Sequence, residues 1–226
     1  MQEEHIINLD NIACFLYGDR HSENWLIQPV DDHDLEGMDN EVSVITELTG
    51  NTDFCLITFK VRNWNTDLSP WKAPAVFGNA DFGDGARTTL DFLTRELLPK
   101  LSEGMAPDTR KMYLGGYSLA GLFSLWTSYQ TDIFTGVAGV SPSVWFPGWP
   151  DYAKGRKCLS PKLYLSLGNK ESRTRNPVMG KVGEAIAQQY ELGCRDGSKA
   201  VLEWNEGNHF KEPDVRMAKG FAWLLR

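Results

Sequence analysis

The stretch KMYLGGYSLAGLFSLW (Lys111–Trp126) sets a strand-like apolar run, Met112 to Tyr117, directly against a helix-like run from Leu119 to about Gln130. Its smallest residues, Gly115, Gly116, Ala120 and Gly121, crowd around Ser118. Where a strand turns sharply into a helix, bulky neighbours two residues before and after the turn would collide with both elements. Gly116-Tyr117-Ser118-Leu119-Ala120 therefore meets the steric demand of a G-x-S-x-G elbow, with Ala120 in place of the second glycine. Such a bend exposes the serine hydroxyl. It also points the backbone N–H of Leu119, at a helix start, toward any oxyanion formed beside it. The same small residues suit close helix-to-sheet packing with Ser118 as a helix N-cap. The strand before and the helix after favour the exposed hydroxyl.

Outward from this unit the chain alternates strand and helix signals. Trp25 to Val30 reads as a strand, and after the acidic DDHDLEG a helix carries Val42, Ile45 and Leu48 on one face and stops at Gly50. Phe54 to Val61 is the next strand, followed by a long connection, Arg62 to Gly85, and a helix striped by Leu90, Leu93, Leu97 and Leu101. Beyond the opening stretch, Gly136–Ser141, Lys162–Gly168 and Lys199–Trp204 read as strands. A helix spans Val182 to Leu192, and a last one begins at Pro213. Apolar strands alternating with amphipathic helices predict an α/β fold: a mainly parallel sheet covered by helices on both faces. With no internal repeat or linker, residues 1–226 read as a single domain, a length that one core can serve.

Composition narrows the function. The chain is 42% hydrophobic and 23% charged, with a formal charge of −7 and no basic cluster, which argues against nucleic acid or an anionic membrane as a partner. Met1 to His5 lacks the basic and apolar regions of a signal peptide, and no run approaches a membrane span, so a soluble cytoplasmic protein is expected. Cys14, Cys55, Cys158 and Cys194 have no metal-ligand spacing and read as reduced core thiols.

Ligands of such sheets bind at the carboxyl ends of the strands. A serine hydroxyl there needs a base, usually a histidine oriented by a carboxylate. In this topology the order is serine, acid, histidine. Of the four histidines, His5, His21 and His33 come too early, which leaves His209, in a loop just after the strand ending at Trp204. Among the intervening carboxylates, Glu171 follows its strand by three residues and leaves at the carboxyl edge; Asp151 and Glu206 are the alternatives. An exposed loop histidine and an exposed charge beside Lys170 and Arg173 are the plain readings of the same residues.

Together, GGYSLAGLFSLW, GVSPSVWF, LYLSLGNKE and GNHF, in that order along the chain, resemble the putative esterase family of α/β-hydrolases, with its esterase D type and siderophore esterase branches. The resemblance implies an α/β-hydrolase-like single domain and acyl transfer through a covalent ester on Ser118. His209 would move the proton and Glu171 would stabilise the imidazolium. Leu119 and a second backbone donor, assigned to Asp31 just past its strand, would hold the oxyanion. No metal or organic cofactor is implied, and the partner is a small-molecule ester.

The long connection exceeds the usual loop length and suits a lid or binding loop. Trp64 and Trp71 from it, with Trp145, Phe146 and Trp149, and with Tyr117 beside the serine, would wall a pocket for an acyl or aryl group or else close the core. Three functions fit: a serine esterase acting on a small to medium ester, an acyltransferase or thioesterase using the same acyl-enzyme, and a noncatalytic binding protein on a hydrolase scaffold. Oligomeric state is not readable from the sequence.

Overall fold

The computed structural model describes residues 4–105 and 110–226. Met1 to Glu3, part of the N-terminal stretch read above, lie outside them. The apolar runs form β1 (Glu4–Leu9), β2 (Ile12–Gly18), β3 (Asn24–Val30), β4 (Cys55–Lys60), β5 (Lys111–Tyr117), β6 (Gly136–Val140), β7 (Lys162–Gly168) and β8 (Lys199–Asn205). They pair into one eight-stranded sheet of order β1-β2-β4-β3-β5-β6-β7-β8. The β1/β2 and β2/β4 pairs are antiparallel. From β4 to β8 every pairing is parallel, with Gly116 of β5 opposite Gly139 of β6.

The helices are α1 (Asp32–Leu35), α2 (Met38–Thr49), α3 (Trp64–Asp67), α4 (Ala86–Phe92), α5 (Leu98–Ser102), α6 (Ser118–Thr127), α7 (Trp149–Lys154), α8 (Val182–Asp196) and α9 (Pro213–Leu224). A π turn, Leu93–Leu97, joins α4 to α5. Because side chains alternate across a strand, the sheet has two apolar faces. Leu114, Val137 and Leu163 pack with the leucine stripe of α4 and α5, with α6, and with Ile186 of α8. Tyr113, Ala138 and Tyr164 pack with Val42 and Ile45 of α2 and with Met217 and Phe221 of α9. Burial of both faces is the main term holding the layers together. Among the described residues no helix is long and apolar enough to cross a membrane.

Three expectations change. The N-terminal β1–β2 hairpin was not among the strands read from periodicity. Asp10 and Asn11, both at positive φ (50° and 59°), make its two-residue turn, the backbone geometry that Asn and Asp tolerate. Leu48 lies at the edge of the α2 stripe and is 40% exposed, while Val42 and Ile45 are buried. Cys14, Cys55 and Cys158 are buried free thiols, but Cys194 is free and exposed on α8, not a core residue. Burial pushes the Cys14 and Cys55 thiols up to about 12, so they stay protonated at neutral pH.

Candidate active site

At the β5–α6 junction Ser118 adopts φ +57°. Side chains rarely take that conformation, and a non-glycine residue held there is over-determined by its surroundings. Gly116 explains how the bend closes: a Cβ there would fall 2.4 Å from the backbone C and O of Ala120. Gly121 serves the other side, where a Cβ would meet the Gly116 carbonyl oxygen at 2.8 Å. Ala120 fits in place of the motif's second glycine because the space opposite it is the empty side of Gly116. The N-cap of α6 is Tyr117, with no side-chain cap bond. Ser118 is thus not engaged as the cap that its position also allowed.

The Ser118 hydroxyl lies 3.1 Å from His209 Nε2, and His209 Nδ1 lies 2.8 Å from Glu171 Oε2. Three strand ends supply these groups. Ser118 leaves β5, Glu171 leaves β7 three residues past Gly168, and His209 sits between β8 and α9. Backbone bonds tie the last two loops together, Asn169 N–H to the Asn205 carbonyl at 2.8 Å and Lys170 N–H to the Gly207 carbonyl at 3.0 Å. The other carboxylates considered lie elsewhere: Asp151 is in the first turn of α7, and Glu206 pairs with Lys211 at 3.4 Å.

Glu171 is held by more than the imidazole. Its Oε1 accepts from the Gly168 N–H (2.6 Å), the Ser141 hydroxyl (2.8 Å) and Arg216 Nη1 (3.2 Å). Burial alone would raise its pKa, but the hydrogen bond and charge of His209, the Gly168 N–H and the Ser141 hydroxyl outweigh it and hold the carboxyl below its usual value. Arg216, 2% exposed, also donates to the Tyr117 hydroxyl (3.2 Å), to Ser141 Oγ (3.3 Å) and to the Glu206 carbonyl (2.9 Å). The Tyr117 hydroxyl in turn donates to the His209 carbonyl at 2.8 Å. Sequence reading missed Arg216 and this role of Tyr117. The Arg lies in the first turn of α9, and the packing of that helix on the sheet buries it.

A cavity of about 540 Å³ opens over Ser118 and His209, lined also by Tyr117, Trp64, Asp31 and Phe210. Trp64 and Tyr117, both assigned to the pocket from the sequence, border this cavity. Trp71 and Trp145 do not line it. The Trp71 ring packs on Tyr152 (centroids 4.9 Å) and Phe146 (5.7 Å), and its Nε1 donates to the Pro147 carbonyl at 2.9 Å. Trp145 packs on Phe77 (5.8 Å) and Phe82 (6.2 Å). These rings, with buried Phe146 and Trp149, fasten the long connection to the segment after β6 and so close the core rather than wall the pocket.

Leu119 is the second residue of α6, within the first turn, where backbone N–H groups have no intrahelical partner. Asp31 borders the cavity, but its N–H donates to Asp34 Oδ2 at 3.2 Å while its own carboxylate caps α1. That capping box engages the donor assigned to the oxyanion, so Asp31 is not free for it in this structure. Among the described residues, no group of three or more His, Cys, Asp or Glu side chains is placed to hold a metal ion.

A parallel-dominated sheet with a serine elbow after its central strand, and partners after two later strands, is an α/β-hydrolase arrangement. Residues 42–196 match the family described as "Putative esterase", and the chain belongs to that family. Comparison with curated proteins gives no match. Among solved structures the chain is similar to an IroE-like serine hydrolase from Shewanella oneidensis, 12% identical with TM-score 0.79, covering 99% of this chain and 79% of that one. It is also similar to the siderophore hydrolase EstB from Aspergillus nidulans, 16% identical with TM-score 0.72, covering 99% and 93%. A third is the BES protein from Bacillus cereus, 17% identical with TM-score 0.68, covering 99% and 95%. At these identities the likeness is one of fold.

Proposed function

We propose that the protein is a serine esterase that hydrolyses small to medium carboxylic esters through an acyl-enzyme on Ser118, with residues 1–226 acting as one domain. Membership of an esterase family supports ester hydrolysis. The observation that carries the finer reading is the continuous path from Ser118 Oγ through His209 to Glu171, at 3.1 and 2.8 Å. His209 Nε2 takes the hydroxyl proton as Oγ attacks the ester carbonyl carbon, whose π electrons move onto oxygen. The Leu119 N–H stabilises that oxyanion, a donor being worth roughly 3 to 4 kcal/mol in systems where one was removed. Collapse breaks the bond to the alcohol oxygen, which leaves with the proton from His209. Water then repeats the sequence, with His209 again as base, to release the acid and restore Ser118. Throughout, Glu171 fixes the imidazole in the tautomer that protonates Nδ1 and stabilises the imidazolium. A cavity of about 540 Å³ is in the range for a small-molecule substrate.

The test is labelling by a fluorophosphonate together with hydrolysis of para-nitrophenyl acetate and butyrate. Wild type should label and turn over. Ser118→Ala should do neither, and persistence of both in that variant would overturn the assignment of the nucleophile.

A further inference from the structure

Part of the cavity lining has a chemistry that ester hydrolysis does not require. Gln28, from the parallel strand β3, and Glu41, from α2, both line it, and they are 2% and 0% exposed. Gln28 Oε1 and both Glu41 carboxyl oxygens have no hydrogen-bond partner among the described residues. Buried polar atoms are normally paired, and an exception calls for an explanation. The Gln28 amide oxygen and an ionised Glu41 accept from a donor group brought to them, whereas a protonated Glu41 accepts at one oxygen and donates from the other.

Their surroundings select which donor. Asp31, Asp34, Glu36 and Asp214 line the same cavity, and no lysine or arginine does. Glu36 lies at the mouth, 3.8 Å from His33. Asp214 is brought close by Gly37, where a Cβ would stand 3.2 Å from the Asp214 Cβ. Burial pushes the Glu41 carboxyl well above the usual range. The charges of Asp34 and Asp214 push the same way, and the neighbouring Gln28 amide pulls against them. Asp34 is likewise raised to about 6, by burial first and by Asp31 next. Such a wall repels anions. These carboxylates do not assemble into a metal-holding group among the described residues. A primary ammonium suits the wall better than a neutral hydroxyl because it brings three N–H donors and a positive charge together.

We infer that the Gln28–Glu41 part of the cavity receives an ammonium group, so that the ester cleaved at Ser118 belongs to the amine-bearing class, such as esters of amino acids or amino alcohols, rather than to the anionic esters. The substrate part of this inference rests on the esterase reading; the binding of the ammonium does not.

Binding to the wild-type protein of hexylammonium, hexanol and hexanoate, measured by calorimetry, tests it directly. Hexylammonium should bind at least about tenfold tighter than hexanol, and hexanoate weakest, with the charged pair fading as salt rises. Glu41→Gln should remove most of the ammonium preference while hexanol binding persists. Glu184→Gln, an exposed acid on α8, should change nothing, which separates the pocket from the general pull of a chain of net charge −7. If Glu41→Gln does not fold, Asp214→Asn should weaken the preference in the same direction. Hexylammonium should also slow fluorophosphonate labelling of Ser118. Equal binding of the amine and the alcohol, or tighter binding of hexanoate, would overturn the inference even if Ser118 labels normally. Failure to label, with the ammonium preference intact, would instead remove the esterase reading and leave the ammonium site.

Discussion

Replacing Arg216 by Met removes a buried guanidinium of similar length without opening a large void. Four contacts disappear with it: Glu171 Oε1 at 3.2 Å, Tyr117 Oη at 3.2 Å, Ser141 Oγ at 3.3 Å and the Glu206 carbonyl at 2.9 Å. Deleting one partner of a buried ion pair typically costs about 3 to 5 kcal/mol. Glu171 keeps the Gly168 N–H, the Ser141 hydroxyl and His209, so the low end, about 3 kcal/mol, applies to that pair. The Glu206 carbonyl, left short of a donor, adds roughly 1 kcal/mol. The expected loss is therefore on the order of 4 kcal/mol, a large share of the roughly 5 to 15 kcal/mol that holds a domain folded. Urea unfolding at neutral pH reads it as a fall in midpoint. A Glu171 carboxylate that can rotate away from His209 misplaces the base, so kcat should drop by roughly ten- to a hundredfold in protein that is still folded. Arg216→Lys should recover part of the stability, because an ammonium restores the charge without the planar fork. The decisive comparison is the double variant with Glu171→Gln. Each single change strands the other partner, so the two losses should fall short of additivity by about 2 kcal/mol. Stability of Arg216→Met within about 1 kcal/mol of wild type, or strict additivity in the cycle, would refute the claim that this ion pair organises the site.

Gly116→Ala is expected to disturb the elbow, because its Cβ would sit 2.4 Å from Ala120 backbone atoms that cannot retreat without moving α6. The cost is roughly 1 to 3 kcal/mol, together with lost fluorophosphonate labelling; unchanged melting and labelling would show that the bend is looser than drawn. Glu41 and Asp34 supply a pH test of the buried acids. Both carboxyls are raised in the folded state. The folded chain therefore holds their protons after the unfolded chain has released them, and stability drains as pH rises above the usual carboxylate value of about 4. For Asp34 the loss ends near its folded value of about 6. Glu41→Gln cannot titrate. It should gain on wild type by about 1.4 kcal/mol per pH unit over the window where only the unfolded glutamate is ionised. A gap that does not widen with pH would show that Glu41 is not held as a protonated acid.

What the sequence made legible, and what it hid, follows the range of the forces involved. Ser118 was readable because a strand-to-helix bend is a local steric problem, and Gly116, Ala120 and Gly121 are its local solution. Chain order and strand ends then sufficed to select His209 and Glu171, which the structure brings together with the serine. Two features carried a local signal that periodicity does not weigh. One is the Asp10-Asn11 turn of the first hairpin. The other is the Asp31-x-x-Asp34 spacing, whose capping box takes the backbone N–H assigned to the oxyanion. The tryptophans were indistinguishable in the sequence, since which ring faces the cavity depends on how the long connection folds back: Trp64 leaves β4 on the cavity side, whereas Trp71 is carried to Pro147 and Tyr152. Arg216 and Glu41 lay beyond local reasoning altogether. In the sequence they are ordinary charges on amphipathic helices, and they acquire meaning only because α9 and α2 pack on the same sheet face. That packing places one at the carboxylate of Glu171 and the other at an unpaired amide oxygen from β3. The guanidinium at Glu171 and the buried Glu41 acid in the cavity lining therefore have a common origin in the docking of two helices on one sheet face. A change in that docking should alter proton transfer and substrate choice together, whereas a change confined to the elbow should abolish turnover and leave the charge preference of the cavity in place.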